Sequence, residues 1–234
     1  HPGLKQSDGW KYMQEMLPLV QDLWRGDVAH EGRFWQFPSA TSCPKPLQQT
    51  VPMWVAARSP ITFDYAVAND CNIMSWPLTL PFSEAEKYRT QLDLAIAKNG
   101  GTYKGRFAMM RHTSVYENAN DRQSALDATS GVLSQFGNLI MKSGEVRNGF
   151  PDPVPLESLE GNFRVEPKML EENLVFGSPD EVIDKLEKYQ EIGVDAFIYY
   201  ASMGLRMAQQ QRSLQLFIEH VMPAFNNRKP NNAR

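Results

Sequence analysis

The sequence contains little cysteine and no long hydrophobic segment. Its two cysteines, Cys43 and Cys71, do not form a CxxC motif, which excludes a disulfide scaffold and a cysteine-ligated zinc site. No apolar run approaches the roughly 20 residues that span a bilayer. The N-terminal stretch HPGLKQSDGW has no basic segment followed by an apolar one, so we do not expect a signal peptide. These absences favour a cytoplasmic protein without a membrane partner.

The sequence also lacks an excess of positive charge. Its 24 Lys and Arg residues are balanced by 27 Asp and Glu residues, for a formal net charge of −3. Proteins that bind nucleic acid or anionic membranes carry a basic excess, so we expect neither partner. The hydrophobic fraction of 42% and the aromatic fraction of 11% exclude a mostly disordered chain and are typical of a globular protein.

Common catalytic motifs are absent as well. The sequence has no HExxH, GxSxG, GxGxxG or P-loop motif. His1, His30 and His220 have no carboxylates at metal-ligand spacing, so no metal site is predicted. The position of a functional site therefore has to be inferred from the predicted order of strands and helices.

What the sequence does contain is a regular alternation of short apolar segments and helices. The apolar segments predict strands over 51–57, 71–76, 106–116 and 194–202. The remaining periodic segments predict helices over 59–70, 83–98, 120–142, 178–193 and 206–225. Strands that are apolar along most of their length are typical of parallel strands buried on both faces. The pattern therefore predicts an α/β architecture with four βα units.

Serine residues mark the starts of three of these helices. Ser59 precedes a proline at the favoured first helical position. Ser83 with Glu86, and Ser178 with Glu181, have the spacing of a capping box. Each of these serines is predicted to be the N-cap of its helix.

Two regions fall outside the alternation. Residues 10–24 show the helical spacing of apolar side chains, and the aromatic cluster of Phe34, Trp35 and Phe37 predicts a short hairpin or extended segment. Residues 143–176 contain four prolines and no clear period. Loops of that length are usually functional or mobile, so we expect an irregular, lid-like insertion.

The turn after the first predicted strand is the best candidate for a binding site. Ligands of α/β proteins bind at the carboxyl ends of strands, and a helix N-terminus adds unpaired N–H groups and partial positive charge that suit a phosphate. The candidate donors are Ser59, the backbone N–H groups of Ile61 and Thr62, and the Thr62 hydroxyl. Arg58 either adds a charge or points to solvent. The alternative is that Ser59 is a plain N-cap.

Further residues near the strand ends could serve either chemistry or packing. Trp76 could stack on a planar ligand or cover the core. His112 lies beside Arg111, and strand alternation places one of the two side chains inward. A lone histidine in a strand is more often a core or rim residue than a catalytic base. Of Tyr199 and Tyr200, the one that faces the helices is expected to pack.

Three stretches of the chain together resemble the bacterial luciferase-like flavin-dependent monooxygenases. They are LWRGDVAHEGRFWQFP at 23–38, VPMWVAARSPITFDYAVANDCNIMSWPL at 51–78, and FGSPDEVIDKLEKYQEIGVDAFIYYASMG at 176–204. The similarity extends over about residues 8–225. It implies a (β/α)8 TIM-barrel type of fold, of which this chain, read as a single domain over 1–234, would contain only the C-terminal four βα units.

The resemblance also implies a cofactor site. The Ser59 and Thr62 hydroxyls would bind the phosphate of FMN, together with the backbone N–H groups of Arg58 and Ser59. The Ser75–Trp76 pair would lie near the flavin ring, and 143–176 would cover the active site. The implied cofactor-binding residues are Ala57, Arg58, Ser59, Thr62, Ser75 and Trp76. No catalytic residue is implied here, because the family's catalytic histidine lies in its first four βα units.

By the same resemblance, the enzyme would use reduced FMN and O2 to oxygenate a small organic substrate such as a ketone, terpene or aldehyde. A separate flavin reductase would supply the reduced FMN, and a homodimer is expected. Two alternatives stay open: a non-catalytic flavin-binding half-barrel, and a deazaflavin-dependent dehydrogenase of the same superfamily, which transfers hydride without oxygen.

Overall fold

A computed structural model describes residues 8–141, 145–152, 166–201 and 204–226. The chain divides into two units, His1–Pro52 and Met53–Arg234. Within the described ranges, no helix is both long and apolar enough to cross a membrane. The interpretation of the chain as one domain stays a prediction.

The first unit contains a helix and a hairpin. Its elements are α1 (Gly9–Arg25), β1 (Val28–Glu31) and β2 (Gln36–Ala40). The two strands pair antiparallel, so the predicted helix and hairpin are both confirmed. The Glu15 carboxylate of α1 accepts hydrogen bonds from the backbone N–H groups of Arg33, Phe34 and Trp35. These bonds tie the hairpin loop to the helix.

The second unit alternates strands and helices. Its elements are β3 (Trp54–Ala56), α2 (Pro60–Ala68), β4 (Asn72–Ser75), α3 (Phe82–Lys98), β5 (Phe107–Val115), α4 (Ala119–Met141), β6 (Val146–Arg147), β7 (Phe150–Pro151), α5 (Pro167–Asn173), β8 (Val175–Gly177), α6 (Pro179–Glu191), β9 (Ala196–Ala201), α7 (Met207–Leu216), a π-helical turn (Phe217–Val221) and α8 (Pro223–Asn226). The four predicted strands correspond to β3, β4, β5 and β9.

The main sheet of this unit is parallel and centred on β5. β3 pairs with β4, and β4 pairs with the first residues of β5. The other neighbours of β5 are β9, along Ala108–Thr113, and β8, along Thr113–Val115. The α/β architecture with parallel strands is therefore confirmed. Among the described residues the sheet does not close into a barrel.

The core of the second unit explains the apolar sequence of its strands. All residues of β5 except Met110 are buried, because the strand has neighbours in the sheet and helices packed over it. Phe63 of α2 and Leu92 of α3 are also fully buried. A strand in this position reads as a continuous apolar run rather than an alternating one.

The three predicted helix starts have different outcomes. Ser178 and Glu181 form the capping box: the Ser178 N–H donates to the Glu181 carboxylate at 2.7 Å, and the Glu181 N–H donates to Ser178 Oγ at 3.4 Å. Ser59 is the N-cap of α2. Ser83, by contrast, is not an N-cap, because α3 already begins at Phe82, after the extended residue Pro81.

The segment 143–176 was expected to be irregular, and residues 142–144 and 153–165 lie outside the described part of the chain. Its described residues contain regular structure, namely the β6–β7 hairpin, α5 and β8. The expectation of irregular structure is therefore wrong for these parts. The cause is tertiary: Leu170 of α5 and Phe176 of β8 belong to a buried cluster with Leu126 of α4.

The half-buried Lys185 connects α6 to the end of α5 and to β8. Lys185 Nζ of α6 donates to the carbonyl oxygens of Glu171, Leu174 and Phe176, at 2.6, 2.9 and 2.8 Å. The last carbonyls of a helix have no partner within it, and here a side chain from the following helix satisfies one of them, that of Glu171. The returning end of the insertion is thus attached to α6.

We expect the two serines at helix starts to differ in their effect on stability. Ser178→Ala removes a capping hydrogen bond and should lower the free energy of unfolding by about 1 kcal/mol. Ser83→Ala should change it by less than about 0.5 kcal/mol, because Ser83 is an exposed residue of the first helical turn. Urea unfolding of both variants checks this, and equal losses would contradict the observed start of α3.

Candidate functional site

The candidate residues lie at one edge of the main sheet. Because β3, β4, β5 and β9 are parallel, their carboxyl ends meet there. The turn from β3 to α2 carries Ala57 to Thr62, and Trp76 directly follows β4. His112 and Tyr200 lie in the carboxyl-terminal halves of β5 and β9 and are register partners.

The turn between β3 and α2 brings Ser59 and Thr62 together. The Ser59 N–H donates to Thr62 Oγ1 at 3.2 Å, and the Thr62 hydroxyl donates to the Ser59 carbonyl at 2.8 Å. The two hydroxyl oxygens are 3.3 Å apart. Proline at the first helical position fixes the backbone there, so that both side chains lie at the N-terminus of α2.

The N-terminus of α2 is free of negative charge. Its first turn contains no acidic residue, whereas the first turn of α6 contains Asp180 and Glu181. A helix N-terminus carries partial positive charge and N–H groups without intrahelical partners. In α6 the Glu181 carboxylate already occupies that end. In α2 only neutral hydroxyls lie there, and Arg58 is exposed beside them, so this end fits an anion such as a phosphate.

Ser75 holds the end of β4 to the end of β3. Its side chain is fully buried, and its hydroxyl donates to the Ala57 carbonyl at 2.6 Å. The Ala57 N–H in turn donates to the Met74 carbonyl at 3.0 Å. The donor of Ser75 is therefore already used, and the residue acts by fixing the turn that carries Ser59.

Three rings from the carboxyl-terminal parts of β5 and β9 and from the residue after β4 form an aromatic cluster at the same edge of the sheet. The imidazole of His112 stacks on Tyr200, with 4.6 Å between ring centroids and 29° between planes. Trp76 contacts both rings edge-on, at 5.5 Å from each. We call Trp76, His112 and Tyr200 the ring cluster.

The ring cluster contains buried polar atoms without hydrogen bonds. Trp76 Nε1 and both ring nitrogens of His112 have no hydrogen-bond partner among the residues that the structure describes. His112 is fully buried. Burial, and then the nearby charge of Arg111, lower the pKa of His112 to about 4, so its imidazole is neutral at neutral pH.

The neighbouring Arg111 is buried on the other face of the strand. Its guanidinium donates to the carbonyl oxygens of Leu78 at 3.1 Å and Leu80 at 2.9 Å, and also to that of Asn173. The Asn173 side chain donates to the Thr79 carbonyl at 3.0 Å. Arg111 therefore holds the loop that follows Trp76 against the end of α5.

The sequence left open which of these neighbouring side chains faces inward. Arg111 and His112 are both fully buried, because each face of β5 is covered. Tyr199 bonds to Ser213 of α7 at 2.8 Å and packs against the helices, as expected for one of the two tyrosines. Tyr200 points to the ring cluster. The unpaired nitrogens of His112 are visible only in the structure. In the sequence, their one signal is the polar pair Arg111–His112 inside an otherwise apolar strand.

Comparison with known proteins shows which family the chain is similar to. The sequence model of the luciferase-like monooxygenase family matches residues 2–196. The oxygenase component of flavin-dependent trigonelline monooxygenase from Acinetobacter baylyi is 34% identical over 229 residues, which are 97% of this chain and 64% of that protein. The F420-dependent glucose-6-phosphate dehydrogenase of Segniliparus rotundus is 25% identical over 218 residues, or 90% of this chain and 59% of that protein.

A solved structure has the same fold. The monooxygenase RslO1 from Streptomyces bottropensis superposes with a TM-score of 0.69 at 20% identity, covering 95% of this chain and 63% of that one. The chain thus spans less than two thirds of the length of each of these three proteins.

The neutral state of His112 predicts a loss of stability in acid. Above its ordinary pKa of 6.5 the imidazole is neutral in the folded and the unfolded chain, so it contributes no pH dependence. Between pH 6.5 and 4 only the unfolded chain takes up the proton, so the free energy of unfolding should fall by about 3 kcal/mol. Urea unfolding across this range should show a shallower fall in His112→Leu and an unchanged one in His220→Gln. The same fall in His112→Leu as in the wild type would contradict the burial of a neutral imidazole.

Proposed function

Because the chain belongs to the luciferase-like monooxygenase family, we propose that it functions in a monooxygenase that uses reduced FMN and O2 to oxygenate a small organic substrate. The observation that carries the proposal is the uncharged N-terminus of α2, with its paired Ser59 and Thr62 hydroxyls, adjacent to the strand that ends in Trp76. An anion site at the same sheet edge as an aromatic cluster matches a cofactor that joins a phosphate to a planar ring.

In this proposal the turn after β3 binds the phosphate of FMN. Ser59 and Thr62 would offer their hydroxyls, and the backbone N–H groups of Arg58 and Ser59 would add donors. The Thr62 hydroxyl and the Ser59 N–H, which now bond within the turn, would exchange those hydrogen bonds for bonds to the phosphate. Ala57 and the buried Ser75 hydroxyl would fix the turn, as their hydrogen bond indicates. The Arg58 side chain is exposed and could strengthen the site through its charge.

The ring of the cofactor would lie against Trp76. The unpaired, buried Trp76 Nε1 supports a polar ligand at this place. Bound reduced FMN would supply the electrons that activate O2. The residues of this chain would bind the phosphate, orient the ring and exclude water from the reacting atoms.

We propose that the four predicted βα units, together with the short strand β8 and its helix α6, form the C-terminal part of a (β/α)8 barrel; the parallel, unclosed sheet supports this. Residues 143–176 would act as a lid, supported by the attachment of their described end to the loop after Trp76 through Arg111. The catalytic groups would then come from the first four βα units of the barrel.

The proposed partners are a flavin reductase, O2 and a second copy of the chain. The relative from Acinetobacter baylyi is named as an oxygenase component, which supports a separate reductase as the source of reduced FMN. Its name also gives trigonelline as a substrate, and a small organic molecule of that size class is the proposed substrate type here. The homodimer and the cytoplasmic location stay predictions.

A deazaflavin-dependent dehydrogenase is the second candidate. The observation that favours it is the 25% identity to an F420-dependent enzyme over 90% of this chain. The phosphate turn alone does not separate the two functions, because both kinds of cofactor carry a phosphate and a planar tricyclic ring.

The phosphate site predicts a specific loss of affinity for FMN. Replacing Ser59 and Thr62 together by alanine removes two hydroxyl donors to a charged group, so FMN should bind about tenfold more weakly or worse per lost hydrogen bond. Fluorescence titration of the full chain with FMN measures this. Ser178→Ala is the matched control, because it alters the other Ser–Pro helix start. Equal FMN affinity in the double variant and the wild type would refute the phosphate assignment.

Two measurements distinguish the two functions: the rate at which O2 reoxidises bound FMN, and the relative affinity of the chain for FMN and F420. If the chain binds reduced FMN, its rate of reoxidation by O2 should differ from that of free FMN, and the Ser59→Ala, Thr62→Ala variant should restore the free rate. Stopped-flow absorbance measures both rates. A reoxidation rate equal to that of free FMN, together with tighter binding of F420 than of FMN, would favour the dehydrogenase instead.

A further inference from the structure

The loop after Trp76 contains a residue with strained backbone. The Leu80 N–H donates to the Pro77 carbonyl at 3.0 Å, so residues 77–80 form a turn. Leu78, the second residue of this turn, has a φ of 57°. Turns with a positive φ at that position are dominated by glycine, asparagine and aspartate, because the left-handed region is unfavourable for a bulky side chain. The local sequence therefore does not favour this turn by itself. We call residues 77–80 the strained turn.

Donors from two other elements hold the strained turn. Arg111 of β5 donates to the carbonyl oxygens of Leu78 at 3.1 Å and Leu80 at 2.9 Å. The carbonyl of Thr79, which lies between them in the chain, accepts from the Asn173 side chain of α5 at 3.0 Å. Three consecutive carbonyls are thus bonded to β5 and α5. Since strained backbone persists only where the surrounding structure over-determines it, these bonds account for the conformation of Leu78.

The end of α5 that carries Asn173 is itself fixed. The Asn173 carbonyl accepts from Arg111. Two residues earlier in α5, the Glu171 carboxylate accepts hydrogen bonds from the Tyr116 hydroxyl at 3.0 Å and from the Arg122 guanidinium of α4. α5 is therefore attached to both β5 and α4, and the side-chain donor that it presents to the strained turn is held in place with it.

We propose that Asn173 is a positioning residue for Trp76, acting through the strained turn. Trp76 directly precedes the turn, so a change of φ at Leu78 redirects the chain beside it. The family resemblance implies no role for Asn173 or Leu78. The inference rests on the proposed function, because Trp76 lies at the proposed cofactor site. The hydrogen bonds that hold the turn are nevertheless present in the chain alone, so they can be tested without a cofactor.

Two substitutions of Leu78 test the strain. Leu78→Gly and Leu78→Ala both remove the apolar side chain, but only glycine adopts a positive φ without strain. Leu78→Gly should therefore have the higher melting temperature of the two. At a position with a negative φ the order is reversed, because glycine loses more conformational freedom on folding. A melting temperature of Leu78→Ala equal to or above that of Leu78→Gly would overturn the proposal.

The indole N–H signal of Trp76 reports its position. The full chain is labelled with 15N at its tryptophan side chains, and the Trp76 signal is assigned by its loss in Trp76→Phe. Asn173→Ala should shift or broaden this signal and leave the other tryptophan signals unchanged. In the Leu78→Gly background the same change should move the signal much less, because the turn no longer depends on the bond from Asn173. Glu172→Ala is the matched control, since Glu172 is an exposed neighbour on α5, and should leave the signal unchanged.

Affinity for FMN separates this proposal from the proposed function. Asn173→Ala should weaken FMN binding by about two- to tenfold, the equivalent of one hydrogen bond, and the loss should be smaller in the Leu78→Gly background. An unmoved Trp76 signal in Asn173→Ala, an equal shift in both backgrounds, or an equal effect of Glu172→Ala would overturn the positioning role and leave the proposed function intact. A moved signal with unchanged FMN affinity would support the positioning role and contradict the placement of the cofactor ring at Trp76.

Discussion

A buried guanidinium group organises the candidate site. Arg111 lies in the middle of β5, is fully buried, and donates to backbone carbonyls of the loop after Trp76 and of the last residue of α5. A charge in that position is tolerable only while carbonyl dipoles surround it. The loop and the end of α5 therefore have to stay where they are. The same charge also lowers the pKa of the neighbouring His112.

The two Ser–Pro helix starts show how the same local sequence leads to different chemistry. Ser178 is followed by Glu181, whose carboxylate caps its own helix. Ser59 is followed by Thr62, which is neutral. One helix end is therefore closed by an internal anion, whereas the other can accept an external one. The difference in capping comes from the side chain three residues into each motif, Glu181 or Thr62, and Asp180 adds a second negative charge at the start of α6.

Much of the fold was predictable from the sequence, and the reasons are local. The four strands were recognised because each is an apolar run between helix caps, and Ser178 was recognised because Glu181 completes its box. Ser83 was misassigned because Pro81, two residues earlier, starts the helix sooner. α5 and β8 were missed because they are short. Their stability comes from Arg111, Lys185 and the buried cluster, which are contacts between residues far apart in the chain.

The candidate site was predictable only in part, for a related reason. The Ser59–Thr62 turn is a local motif and could be read directly. The unpaired nitrogens of His112 result from the register of β5 with β9 and from the position of Trp76 directly after β4. No spacing in the sequence reports that register. The sequence did show a polar pair, Arg111–His112, inside an apolar strand, without showing what surrounds it.

β5 pairs with β4, which precedes it in the sequence, and with β9, which follows it much later. This order of strands has a consequence for folding. β3, β4 and β5 are near neighbours in sequence, so they can pair as soon as residue 115 is available. The contact of Ala108 with Ala196 has to wait until β9 exists and then close a loop that includes α4, α5 and α6. Contacts of such long range slow folding. Until β9 arrives, β5 has an unprotected edge and an uncovered His112, which leaves this strand open to pairing with another chain.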